Sequence, residues 1–140
     1  MEHAAQLIQR IVPPLWCGMI LALAFLEAPL KFRAPNVTRA IGLGIGKLVF
    51  TALNRVECAL ALVLGLALWL VPAQTTQKQV FAGLLAILLT ETFWLVPALI
   101  KRADAWIRGE TPPASRQHLF YVGIEAIKVG LLLILSIVAR

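Results

Sequence analysis

Residues 48–70, LVFTALNRVECALALVLGLALWL, decide the fold. At 1.5 Å per residue a helix of this stretch reaches roughly 34 Å, enough to cross a hydrocarbon layer of about 30 Å. It holds no proline and no strand-like alternation. Its only charged residues are Arg55 and Glu57. A charge inside a spanning helix costs about 2.5–3.5 kcal/mol even on the lenient insertion scale, so each one marks a partner or a task.

Working outward, three more apolar runs have the same character, and the spans read as 11–30, 41–71, 80–100 and 119–139. Each carries one carboxylate: Glu27, Glu57, Glu91 and Glu125 in turn. The chain has 140 residues, 60% hydrophobic and 14% charged, far to the apolar side of a globular mix. The expectation is an all-α, four-helix transmembrane bundle in one domain. The first run is read as a permanent helix rather than a cleavable signal. Glu2 precedes its first cation, Arg10, Pro13 and Pro14 stand at its start, and it lacks an Ala-x-Ala-like site.

The net charge of +6 is unevenly spread. Lys31, Arg33, Arg39 and Lys47 fall between the first two runs, and Lys101, Arg102, Arg108 and Arg116 between the last two. Arg10, Lys78 and Arg140 stand on the other side. Under the positive-inside rule this places both basic loops in the cytoplasm and both termini on the non-cytoplasmic side of an inner (plasma) membrane. The same basic rim favours anionic lipid headgroups, which explains the charge without nucleic acid. Cys17 and Cys58 form no C-x-x-C pair, so disulfide and zinc chemistry are not expected.

Local signals set the ends. Asn36 or Thr38 is a candidate N-cap for the second helix, and Gly109 with Pro112 and Pro113 stops the third, leaving the fourth to begin near Ser115. A faint repeat at an offset of 68 residues superposes Pro29 on Pro97 and Glu57 on Glu125. Gly42 and Gly46 form G-x-x-x-G, a sign of close helix packing rather than a phosphate loop.

Residues three, four or seven apart share a helix face. On the fourth run this aligns His118, Tyr121, Glu125, Lys128 and Ser136; on the second, Lys47, Thr51, Asn54 and Cys58. Arg55 and Glu57 flank that second seam and cannot satisfy one another, so Arg55 is expected to reach Glu91 or Glu125 on another helix. Counted from the basic ends of the spans, Glu57, Glu91 and Glu125 lie roughly 9–14 Å deep. Glu27 is shallower, with Lys31 at i+4. Trp16, Trp69 and Trp106 are read as an interfacial belt, and the deeper Trp94 as core packing.

The candidate ion- or substrate-binding set is Glu57, Glu91 and Glu125 with Arg55 and Lys128 as counter-charges, and Tyr121, Asn54 and His118 beside them. Three deep carboxylates against two cations leave negative charge over, which implies a carboxyl that holds its proton or a bound cation. The leading reading is a small transporter or exporter that binds a proton or small cation, with no cofactor and with a homo-oligomer or a larger membrane complex as its assembly. The alternatives are an accessory or assembly subunit latched by its charges, and a membrane enzyme or metal protein. A di-iron bundle would need Glu-x-x-His pairs, which the sequence lacks.

Overall fold

A computed structural model describes residues 1–139. Four long helices make up the fold: α1 Glu2–Arg33, α2 Arg39–Leu70, α3 Thr75–Ile107 and α4 Gln117–Val138. All four are long and apolar enough to cross a membrane. They form a ring in which each packs on its chain neighbours and α4 closes on α1. The basic loops lie at one end of this up-and-down bundle, the termini and the α2–α3 turn at the other.

The helix ends follow from local chemistry. The Thr38 hydroxyl accepts the Ile41 N–H and caps α2. Asn36 ahead of it takes a positive φ of 65°, which asparagine tolerates better than most residues. Gln74 and Gln77 form a reciprocal capping box at the start of α3. Gly109 at φ +80° ends that helix in the left-handed region, open to glycine. Ser115 accepts the Gln117 N–H as α4 begins.

Within apolar helices the hydroxyls of Thr51, Thr90, Thr92 and Ser136 each donate to the carbonyl four residues back, which satisfies these hydroxyls within their own helices. Large apolar side chains point outward along every helix, among them Leu48, Leu62, Leu66, Phe93, Leu119 and Ile137. Such continuous outward exposure would be an aggregation hazard in water and is what lipid-facing helices present.

α1 and α3 share a second feature. Each widens into a π-helical segment, Leu21–Glu27 in α1 and Glu91–Leu95 in α3. Pro29 and Pro97 follow directly. A proline supplies no N–H to the carbonyl four residues back, and a wider turn lets the helix continue without that bond. The prolines paired by the offset of 68 residues therefore occupy matching structural positions.

The helices run past the sequence-derived spans, most of all α1, which begins at Glu2 and contains Pro13 and Pro14 inside it. That moves the level of the buried carboxylates. Counted at 1.5 Å per residue from the end bearing the termini, Trp16, Glu57, Glu91 and Glu125 lie roughly 20–24 Å along their helices. They occupy the middle of the bundle, deeper than the span edges indicated.

Candidate functional site

Every helix sends one polar group or more to this level. Glu57 comes from α2, Glu91 from α3, and Glu125 and Lys128 from successive turns of α4, while Trp16 comes from α1. Lys128, Glu57 and Glu125 are 0% exposed and Glu91 is 1% exposed. The Lys128 ammonium sits at the centre. Its Nζ donates to both oxygens of Glu57 at 2.8 and 2.9 Å and to Glu91 Oε2 at 2.5 Å. It also lies 3.0 Å from Glu125 Oε1. Trp16 Nε1 donates to Glu57 Oε1 at 2.8 Å from the opposite side.

One ammonium thus faces three carboxylates, whose nearest oxygens lie within 4.8 Å of one another. Fully ionised, the four groups carry a net charge of −2. At an effective dielectric of 20, two like charges 4.8 Å apart repel by about 3.5 kcal/mol, and there are three such pairs. The Lys128 contacts at 2.8, 2.5 and 3.0 Å oppose this repulsion, and the ionised cluster keeps two negative charges in excess of its ammonium.

Glu125 is set apart within this group. Glu57 accepts three hydrogen bonds and Glu91 accepts one, whereas neither Glu125 oxygen accepts any. The Tyr121 hydroxyl is a neighbour of Glu125. Tyr121 is buried one turn before Glu125, its ring 4.8 Å from that of Phe50. Above the cluster, toward the termini, Val12, Leu64, Leu84, Leu88, Leu132 and Leu135 close the bundle with apolar packing.

The other sequence candidates are placed elsewhere. Arg55 is exposed on the outer surface and forms no ion pair among the described residues, so the expected bridge to Glu91 or Glu125 is absent. The reason is angular: only one side of α2 faces the bundle, and the two-residue offset that turns Glu57 inward turns Arg55 out. Asn54 is buried but bonds to Thr92 Oγ1 at 2.9 Å rather than to a carboxylate. His118 is exposed at the basic end, where it lines a cavity. Glu27 pairs with Lys31 at 3.3 Å, as its i+4 spacing indicated.

Trp16 is the member of the buried polar cluster that the sequence reading missed. Counted from residue 11 it fell near an interface; with α1 beginning at Glu2 it is mid-helix and 0% exposed. A nine-residue amphipathic lead ahead of Ile11, carrying Ala5 and Gln9 on the buried side, was the available signal. Trp94, by contrast, is 55% exposed and meets Phe120 edge to face on the outside, so it is not core.

The cavity at the basic end has a volume of about 560 Å³ and opens between all four helices. Phe50 is part of its wall and also stacks on Tyr121, so this one ring touches both the cavity and the neighbourhood of the carboxylates. Comparison with known protein families, characterised proteins and solved structures finds no match.

Proposed function

We propose that the protein is a small transporter or exporter of the inner membrane, whose Glu57, Glu91, Glu125 and Lys128 bind a proton or small cation. The observation that carries this reading is the excess of two carboxylates over ammonium in a fully buried cluster, with Glu125 accepting no hydrogen bond. Glu125, held by one ion-pair contact to Lys128 at 3.0 Å and by no hydrogen bond of ordinary geometry, has the fewest contacts to give up in taking and releasing a proton or cation. The cavity on one side and the apolar plug on the other supply unequal access, the property a transport site alternates between its two faces.

In this reading both termini face outward and the basic loops face the cytoplasm and its anionic lipids. Cysteine labelling from outside reaches engineered positions at Gln74 to Gln77 and misses Glu110; the reverse pattern overturns the orientation. Oligomerisation, alone or within a larger membrane complex, belongs to the same proposal.

The test is purified protein in sealed vesicles with an entrapped pH dye, under imposed proton, sodium and potassium gradients, beside a thermal melt of each variant. Glu125→Gln keeps the shape of the side chain and removes its charge. It is expected to melt like the native chain and to lose proton- or cation-driven flux. A second reading, an accessory subunit in which Lys128 merely latches three helices, is favoured by its bonds to Glu57 and Glu91. Proportional loss of stability and flux, or loss of neither, selects that reading.

A further inference from the structure

The cavity at the basic end is not explained by the carboxylate cluster, and its chemistry is the opposite. Its lining contains Lys31, Arg39, Lys47, Arg102 and His118 and no acidic residue. Two of these cations are already matched, Lys31 by Glu27 at 3.3 Å and Lys47 by Asp104 at 2.7 Å. Arg39 and Arg102 have no carboxylate partner among the described residues. The Arg39 guanidinium carbon lies over the Trp106 ring, 4.0 Å from its centroid, and Arg102 gives one N–H to the Pro113 carbonyl. Both keep donors free for an anion.

The Lys31 side chain is only 7% exposed, yet its ammonium also faces the cavity rather than solvent. It is held there by the G-x-x-x-G of α2. A side chain at Gly46 would press on Lys31 Nζ, and one at Gly42 would collide with the Phe32 ring. Those two glycines thus make the room in which α1 delivers a buried cation to the cavity. The deeper wall is apolar and aromatic, formed by Phe50, Val96, Leu99, Ile100 and Val122.

Cations gathered over an apolar floor, in a space of about 560 Å³ that matches ordinary small-ligand sites, select one ligand class. We propose that this cavity binds an organic anion with a phosphate or carboxylate head and an apolar body, the head between Arg39, Arg102 and Lys31 and the body against Phe50. As a binding site it stands by itself. As the site of the transported substrate it rests on the transport reading, with Phe50 and Tyr121 as the contact through which occupancy is felt at Glu125.

The full chain in nanodiscs of neutral phosphatidylcholine is titrated calorimetrically against dodecyl phosphate and 1-naphthyl phosphate, with dodecanol, 1-naphthol and empty discs as controls. Binding of an anion above its neutral counterpart is expected. Arg39→Gln with Arg102→Gln should weaken it by about tenfold or more, the loss of at least one charge-assisted bond. Binding of dodecyl phosphate alone identifies a membrane-borne amphiphile; binding of both identifies a soluble anion. Should the double variant melt early, Val122→Trp, which fills the cavity and keeps every charge, is expected to abolish binding instead.

Equal binding of anion and alcohol, binding unchanged in these variants, or no binding above empty discs overturns the site. Anion binding without proton or cation flux removes the transport reading and leaves the site, whereas flux sensitive to Glu125→Gln without anion binding does the reverse.

Discussion

Removing the single ammonium of the cluster is expected to be far more damaging than removing one of its acids. Lys128→Met keeps the volume and deletes four close contacts to three carboxylates: 2.8 and 2.9 Å to Glu57, 2.5 Å to Glu91 and 3.0 Å to Glu125. Breaking a buried pair by removing one partner costs about 3–5 kcal/mol, because it leaves uncompensated charge. Three carboxylates within 4.8 Å then stand without a counter-charge.

Glu125→Gln acts in the other direction on the balance, lowering the excess negative charge from two to one and breaking no hydrogen bond. Its expected effect is within about 1 kcal/mol, the range of an ordinary substitution. Glu57→Gln added to Lys128→Met should recover about 2 kcal/mol of the loss, since contacting charges couple by up to about 3 kcal/mol. The assay is equilibrium unfolding of each variant in mild-detergent micelles titrated with dodecyl sulfate. Equal losses for Lys128→Met and Glu125→Gln, or strict additivity in the double variant, would refute the charge arithmetic.

Trp16→Phe removes the indole N–H donated to Glu57 while keeping an aromatic in the core, and a hydrogen bond to a charged group is worth about 1.5–3 kcal/mol, so a destabilisation of that size is expected in the same unfolding assay. Restoration of stability by Glu57→Gln in the Trp16→Phe background checks that the loss runs through the carboxylate. Arg55→Leu, on the exposed face of α2, should leave stability within about 0.5 kcal/mol, and a loss near 3 kcal/mol would mean that Arg55 reaches a buried acid after all.

Much of this architecture is legible in the sequence because a bilayer imposes blunt rules. Long apolar runs interrupted at Pro35, Pro72 and Gly109 to Pro113 yield four helices, and the caps at Thr38 and near Ser115 follow from side-chain chemistry. The union of Glu57, Glu91, Glu125 and Lys128 is legible too, since α2, α3 and α4 each hold one inward carboxylate and the i, i+3 spacing ties Glu125 to Lys128.

What hid from the sequence was direction and extent. Arg55 and Glu57 are both charges within one long apolar helix, and only the azimuth of α2 decides which one enters the bundle. Trp16 was obscured by Pro13 and Pro14, which resemble a helix start but lie within α1, where the surrounding bundle tolerates them. The π segments before Pro29 and Pro97 have no signature beyond the prolines. The cavity is assembled from the basic ends of four helices, a juxtaposition no single segment encodes.

The central claim is that the buried cluster carries an exchangeable positive charge beyond Lys128. Infrared difference spectra of the native chain and Glu125→Gln in lipid, recorded across a pH series with sodium, potassium or neither, observe it directly. A protonated-carboxyl band is expected in the native chain, displaced by base or by one of the cations and missing in Glu125→Gln. Three permanently ionised carboxylates, with spectra indifferent to pH and cation and unchanged by Glu125→Gln, would contradict it.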